Sequence, residues 1–318
     1  NRNMLLGQAY PATLGATAPD ENIGHLKVWG WEAALNWQDK KGSVGYRIGG
    51  SVTENQNKLL RYGGANLLQP GFVAAVEGYP LNSYFGLEYA GRAQTNEQLT
   101  AYRPLASGNN VGMPITTATL PGVRLGDNMF VDRNGDGKLT SPDDLKYLGR
   151  NDPRYSYAIN LGADWKGFDF TAILQGVGER TIFRQGAWRV PYESIFRGQT
   201  NTWYGNTWTP DHTDAYYPNL AANQNGVNYN TYNYQASDWS VENGAYVRLK
   251  NAVLGYSLPT GLTKRLGAER IRVYYAGSDL WEKSNIRDGW DPEVTREADR
   301  FGRYPFFRLH TFGVNFTF

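Results

Sequence analysis

The residues best placed to do chemistry in this chain lie in one short stretch. It reads Asp132-Arg133-Asn134-Gly135-Asp136-Gly137-Lys138 and continues Leu139-Thr140-Ser141-Pro142-Asp143-Asp144. The spacing fits D-x-[DN]-x-[DN]-G, a calcium-loop pattern. Asp132, Asn134 and Asp136 supply oxygens at positions 1, 3 and 5, and Gly137 permits the sharp turn. Lys138 offers its backbone carbonyl, and Asp143 or Asp144 closes the shell. Hard oxygen donors select Ca²⁺ over a transition metal. Aspartate in the closing position has a shorter reach than glutamate. The competing reading is an Asx-rich turn that holds no metal. On either reading the stretch orders a long loop.

A second group is aromatic. Trp188, Tyr192, Trp203, Tyr204, Trp208, Tyr232 and Trp239 stand among many Asn, Gln, Asp and Thr residues between 183 and 244. Flat rings beside side-chain amides suit sugars or peptides. The same types also suit a protein interface or the packing of a long loop. Catalytic constellations are missing. The three histidines, His25, His212 and His310, form no H-E-x-x-H, and there is no G-x-S-x-G or P-loop. Carboxylates such as Glu179, Glu193, Asp211 and Asp214 have no spacing that demands a glycosidase pair. The expectation is a protein that is not an enzyme.

Composition bounds the scaffold. The 318 residues carry a net charge of +2, which gives no argument for a nucleic-acid partner. There is no cysteine, so disulfides and thiolate chemistry are excluded. The mean hydropathy is −0.56 although 14% of residues are aromatic. That combination suits a membrane β-barrel with a polar interior and aromatic girdles. No run approaches the roughly 18 apolar residues of a membrane helix, so any crossing must be by strands. The chain opens Asn1-Arg2-Asn3-Met4 without a charged-then-apolar leader. If exported, it is expected to be a mature form or a fragment.

Period-2 alternation marks seven strands. Trp29, Trp31, Ala33, Leu35 and Trp37 oppose Gly30, Glu32, Asn36 and Gln38, and the turn Asp39-Lys40-Lys41-Gly42 follows. Val44, Tyr46 and Ile48 then oppose Gly45, Arg47 and Gly49 in a second strand. A second hairpin joins Tyr155–Lys166 to Phe168–Gln175, and a third joins Ala245–Leu258 to Arg270–Trp281 through Pro259-Thr260-Gly261. The last strand closes Phe312-Gly313-Val314-Asn315-Phe316-Thr317-Phe318. Arg248 and Lys250 share parity with the apolar Ala252 and Leu254, and His310 with Phe312. Either a bulge switches the faces, or the charged ends rise above an apolar band that about 9–11 residues span; the second is expected. Polar positions Glu32, Arg47, Asp164, Asp169, Gln175 and Arg272 would face a lumen, where mutual pairing is the first expectation.

Short turns after Gln38, Lys166 and Leu258 contrast with long connections at 57–154, 183–244 and 284–305. That asymmetry is typical of outer-membrane barrels, with short turns periplasmic and long loops outside. Seven strands do not close such a barrel. Residues 1–24 are expected to continue from an absent strand, and the chain to be part of a larger barrel.

The motif set resembles a known family. The Asp132 loop is followed by Leu148-Gly149-Arg150-Asn151-Asp152-Pro153-Arg154-Tyr155, then Gly167-Phe168-Asp169-Phe170-Thr171. Tyr246-Val247-Arg248-Leu249-Lys250-Asn251, Arg270-Ile271-Arg272-Val273-Tyr274, Ser278-Asp279-Leu280 and Asp291-Pro292-Glu293 come next. In this order they resemble the C-terminal barrel of SusC/RagA-type TonB-dependent transporters of Bacteroidetes. The resemblance implies the last seven strands of a plugged 22-stranded barrel, with the plug and N-terminal strands absent. It further implies import of oligosaccharides or peptides across the bacterial outer membrane, energised through TonB. A SusD-like surface lipoprotein would cover the mouth, and the C-terminus would be periplasmic. A soluble calcium-dependent carbohydrate-binding β-protein and a passive porin are the alternatives.

Overall fold

The computed structural model describes residues 2–7, 20–62, 73–106, 122–140, 142–183, 190–191, 201–220, 232–287, 290–293 and 307–318. Alternation becomes sheet as expected. Strand β1 (Arg2–Gly7) pairs with β2 (Asp20–Lys41), which pairs with β3 (Val44–Arg61). The connection after β3 carries β4 (Val73–Ala74), β5 (Ser83–Gly86), β6 (Tyr89–Arg92), helix α1 (Asn96–Ala106), β7 (Asn128–Phe130) and β8 (Lys146–Arg150). Next come β9 (Tyr155–Trp165) and β10 (Phe168–Gly178). The connection after them holds β11 (Thr181–Phe183) and β12 (Val241–Asn243). Strand β13 (Tyr246–Ser257), helix α2 (Thr260–Arg265), β14 (Arg270–Ser284) and β15 (Leu309–Thr317) complete the chain.

Eight strands form one antiparallel sheet in the order β1-β2-β3-β9-β10-β13-β14-β15. That is one more than the seven that alternation marked. Met4-Leu5-Leu6 is a run of consecutive apolar residues, and the register of β1 shifts twice, so no period of two shows there. The first hairpin is also longer than its apolar part: pairing runs from Lys41↔Val44 out to His25↔Arg61. The far end, Asn55-Gln56-Asn57-Lys58, is polar and reads as loop in sequence, although its backbone ladder continues.

One face of the sheet is apolar and uncovered. Trp29, Trp31, Leu35, Trp37, Ile48, Trp165, Phe168, Leu254, Val273, Phe312, Val314 and Phe316 are all exposed. So much uncovered apolar surface on one sheet face is what lipid contact requires. From Trp29 to Trp37 is nine residues, within the span of a tilted membrane strand. The other face is polar and is smoothed by glycine. A Cβ at Gly162 would lie 2.9 Å from the Arg47 side chain. At Gly255 it would overlap the Arg272 guanidinium. Each glycine leaves the space over which the neighbouring arginine folds.

Because neighbouring strands are antiparallel, alternate connections fall at opposite ends of the sheet. The short ones, β2–β3, β9–β10 and β13–β14, all share one end. Lys166 at φ 46° and Gly167 at φ 89° form a two-residue turn with both dihedrals positive, the hand that fits strand twist. The third turn contains α2, a single turn and a half of helix in place of a simple loop.

The parity break in β13 has a structural cause that differs from the expected one. Opposite β10, the register slips between Ile173↔Asn251 and Leu174↔Leu249, leaving Lys250 without an opposite number. Opposite β14, Leu249 meets Trp281 and Asn251 meets Ser278. Asp279 sits in this irregularity at φ 54°. A bulge therefore switches faces: Leu254 is exposed on the outer side while Arg248, of the same parity, is buried. In β15 no shift occurs against β14. His310 stays on the Phe312 face, where its Nδ1 lies 2.8 Å from the Tyr275 hydroxyl.

Candidate functional site

At the other end of the sheet the long connections fold into a body of their own. Its main core contains Leu87, Leu99, Tyr102, Val123, Phe130 and Leu139 from the connection after β3. Tyr232, from the connection after β10, completes it. The two connections are therefore built around each other. The Asn128 backbone N–H donates to Asn233 Oδ1 at 2.8 Å, and Asn128 Nδ2 donates to the Asn233 carbonyl at 2.7 Å. Leu87 N–H donates to the Ala236 carbonyl at 2.8 Å. Arg92 donates to the carbonyls of Ala215 and Tyr216.

Buried polar groups in this core are largely paired with one another, although Asn128 Oδ1 is left without a partner among the described residues. Tyr102 Oη accepts from Phe130 N–H at 2.8 Å and lies 3.0 Å from Tyr232 Oη, which donates to the Asn128 carbonyl at 2.7 Å. Burial pushes the Tyr102 phenol up to about 12 and Tyr232 well above its ordinary range. Asp127 accepts from Asn233 Nδ2 and Arg124 N–H, both at 2.8 Å. Burial nevertheless holds its carboxyl above the usual carboxylate range.

The Asp132 loop lies on the edge of this body. Gly135 and Gly137 have φ of 75° and 81°, the left-handed geometry the motif demands of glycine. Asp132 accepts from Gly135 N–H and Gly137 N–H, each at 2.8 Å. Asn134 Oδ1 accepts from Asp136 N–H at 3.0 Å, and Asp136 Oδ1 from Lys138 N–H at 2.8 Å. Asp144 is fully buried and closes the loop, with one oxygen 2.8 Å from Arg133 N and the other 2.7 Å from Thr140 N. Asp143 is exposed. Among the described residues no group of three or more His, Asp or Glu side chains is arranged at metal-holding spacing. The loop oxygens are turned to backbone N–H groups instead.

The aromatic candidates fall into different settings. Trp203 is buried with Val190, Tyr217 and Tyr234. Trp208 is buried and donates its Nε1–H to Gln94 Oε1 at 2.9 Å. Tyr232 is buried in the main core. These three present no open face and hold the body together. Trp239 is half-buried and stacked on Tyr216 at 5.3 Å, whereas Tyr204 is 92% exposed. Trp188 and Tyr192 lie outside the described residues.

Of the charges expected to face the lumen, Arg272 and Asp169 form an ion pair, and among the described residues Glu32, Arg47 and Asp164 form none. Arg272 Nε donates to Asp169 Oδ1 at 2.9 Å. A denser network, which sequence reasoning did not assign, surrounds the bulge. Arg248, 2% exposed, contacts Glu282 Oε2 through Nε at 3.0 Å and Asp291 Oδ2 at 2.7 Å, and reaches Glu293 at 3.0 Å. Lys250 joins Asp279 and Glu293, both at 3.1 Å. The network ties the segment after β14 to the wall. The Arg180 guanidinium adds a 2.6 Å bond to the Pro292 carbonyl. The sequence signal was present: two cations on an apolar parity upstream of a run of acids.

No protein-family profile matches the chain. Curated relatives do. TonB-dependent receptor P3 of Formosa agariphila is 26% identical over 346 aligned positions, covering 99% of this chain and 31% of the relative. Receptor P26 of the same organism is 24% identical with the same coverage. Among solved structures, the RagAB peptide transporter superposes with a TM-score of 0.71 at 18% identity, over 100% of this chain and 32% of that one. The RagAB peptide importer in its open-open state gives 0.68 at 19% identity. All of these are receptors or transporters, and the chain spans about a third of the length of each. The chain thus resembles TonB-dependent receptors in sequence over 99% of its length and shares the fold of a RagA-like transmembrane barrel over all of it.

Proposed function

We propose that this chain forms part of the wall and outer loops of an outer-membrane importer energised through TonB. The cargo class is oligosaccharide or peptide, and a SusD-like surface lipoprotein works over the long-loop side. The short turns and the C-terminal Phe318 then face the periplasm. The rest of the barrel, a plug and the TonB complex are the further partners. One observation carries the reading: a lipid-type sheet bears all its short turns at one end and a cross-tied loop body at the other, in a chain similar to TonB-dependent receptors over 99% of its length. The loop body has the rigidity a capture surface needs, since most of its aromatic groups are packed and hydrogen bonds tie its two connections together. Among the described residues, exposed Tyr204 and half-buried Trp239 are its remaining cargo-contact candidates.

The test is uptake by cells with and without the protein, offered labelled peptides and oligosaccharides, with the proton gradient intact or collapsed. Loss of uptake on deletion and on uncoupling is expected. Uptake that survives uncoupling would establish a passive pore instead. Co-purification from membranes identifies the lipoprotein.

The Asp132 loop is proposed to take Ca²⁺ through Asp132, Asn134, Asp136 and the Lys138 carbonyl, with Asp144 in the closing position and Asp143 at its edge. All donors are oxygens, and both glycines already have the required dihedrals. The ion would stiffen the edge of the loop body and take no part in transport chemistry.

A further inference from the structure

The cations at the two ends of the sheet are treated differently. At the long-loop end Lys146, Arg154, Arg248, Lys250 and Arg287 are each ion-paired. At the short-turn end Lys40, Lys41, Lys166, Lys264 and Arg265 have no carboxylate partner among the described residues. The acid in the first turn, Asp39, is already engaged by the Lys40 N–H at 2.7 Å and the Tyr46 hydroxyl at 3.1 Å.

Lys41, Lys166, Lys264 and Arg265 stand beside apolar surface, and Lys40, opposite Gly45 on the polar face, lies at the same rim. Strand registers place Val44, Trp165, Phe168, Tyr256, Val273 and Val314 in one row across the outer face. Trp165 stacks on Phe168 at 6.5 Å, and Phe168 meets Tyr256 at 4.5 Å. Lys166 Nζ lies 5.4 Å above the Trp165 ring. Helix α2 repeats the combination in miniature. It buries Thr263 against the sheet while Leu262 and, just past its end, Leu266 stand 46% and 62% exposed beside Lys264 and Arg265. Exposed leucines on a solvent-facing turn are unfavourable, and at a bilayer boundary they are favourable.

We propose that the short-turn rim is a binding collar for anionic phospholipid. Lys40, Lys41, Lys166, Lys264 and Arg265 hold headgroup phosphates, and Trp165, Phe168, Leu262 and Leu266 lie at the acyl-chain boundary. The complementarity comes from cations gathered at one rim beside apolar surface, whereas Lys146, Arg154, Arg248, Lys250 and Arg287 at the opposite end are neutralised within the protein. The inference rests on the membrane-barrel reading.

The test is native mass spectrometry of the protein purified in detergent, stripped of lipid and offered equimolar phosphatidylglycerol and phosphatidylcholine. The natural protein is expected to retain phosphatidylglycerol about tenfold over phosphatidylcholine, within what five cations at an anionic surface supply. Replacing all five cations by glutamine should reduce the preference to about twofold or less. Lys58→Gln, at the other end of the sheet, should leave it unchanged. Excess inorganic phosphate should not displace the lipid. Equal retention of the two lipids, an unchanged preference in the five-fold variant, or displacement by phosphate overturns the proposal. Unboiled electrophoretic migration reports barrel folding; if the five-fold variant does not fold, Lys166→Gln and Lys264→Gln must each lower the ratio. A protein that stays monodisperse without detergent would refute the barrel reading itself, separately from the collar.

Discussion

Arg248→Ala is the perturbation whose consequence the structure states most sharply. Arg248 is 2% exposed and its guanidinium is shared among Glu282, Asp291 and Glu293, with Asp279 3.8 Å away. Removing it leaves four carboxylates facing Lys250 alone. Breaking a buried pair by deleting one partner costs about 3–5 kcal/mol. The carboxylates here retain 12–24% side-chain exposure, so water compensates part of the loss and about 3 kcal/mol is expected. The strand ladders of β13 do not depend on this side chain, so the loss should appear locally, where Asp291, Pro292 and Glu293 are tied to the wall. A loss of 3 kcal/mol raises local opening about 100-fold. Hydrogen exchange read by mass spectrometry, on peptides covering 284–293 and 242–250, measures it directly. Arg248→Lys should recover only part, because an ammonium cannot bridge three carboxylates in a planar fork. Adding Glu282→Gln and Asp291→Asn to Arg248→Met should restore protection toward the original. Exchange in 284–293 that rises less than about threefold in Arg248→Ala would refute the assignment of the network as the anchor.

Four further outcomes are expected. Tyr102→Phe leaves Phe130 N–H without its acceptor and costs about 1–3 kcal/mol in the loop body, read as faster proteolysis of the loops. The Tyr102 phenol lies at about 12 when folded, above its ordinary 10. Its contribution is therefore complete below pH 10 and is lost as the pH rises from 10 through 12, so phenolate absorbance and loop proteolysis should rise together in that window. Gly126→Ala combines φ 81° with a Cβ 2.3 Å from the Trp208 ring, and should cost about 2–4 kcal/mol, read as quenched-to-exposed Trp fluorescence. Terbium luminescence should report one site that Asp132→Ala abolishes and Asp143→Ala weakens only slightly; a signal unchanged in Asp132→Ala would leave the loop an Asx turn.

The parts of the fold legible in sequence are those where lipid imposes a period of two. Trp29 to Trp37 and Phe312 to Phe318 alternate because one face must be apolar along the whole crossing, and the strand pairs built on them are present. Legibility ends where that demand ends. Beyond Asn55 the ladder continues without a lipid-facing side, and Leu59 is buried against the following connection, so Gln56 and Lys58 carry no pattern. Met4-Leu5-Leu6 is apolar without alternating, and β1 is invisible for that reason. The bulge at Lys250 was legible as a symptom, a charged residue on an apolar parity. Choosing its cause required the partner registers of β10 and β14, which depend on strands more than 70 and about 30 residues away. The turn of the Asp132 loop was legible from local spacing, because the hydrogen bonds that shape it between Asp132 and Lys138 are local.

The aromatic segment shows the opposite case. Composition alone leans toward packing or protein contact and leaves ligand contact open, since all draw on Tyr and Trp. What separates them is whether the ring is enclosed, and enclosure is supplied by residues far along the chain. Tyr232 is enclosed by Leu99, Tyr102 and Phe130, more than 100 positions earlier. Trp208 is fixed by Gln94 and Gly126. The same long-range ties set how the loops can move. Tyr232 cannot leave its core without breaking hydrogen bonds to Tyr102 and Asn128. The Glu242 carboxylate holds Arg287 at 3.1 Å, and Arg287 in turn stacks on Tyr216 at 3.5 Å. Shifting any one of the three long connections alone therefore breaks contacts belonging to another. Concerted displacement of the whole body on the wall breaks fewer, and the joints it must load are the Arg248 network and the ties from Asn55, Asn57 and Leu59 to the connection after β3.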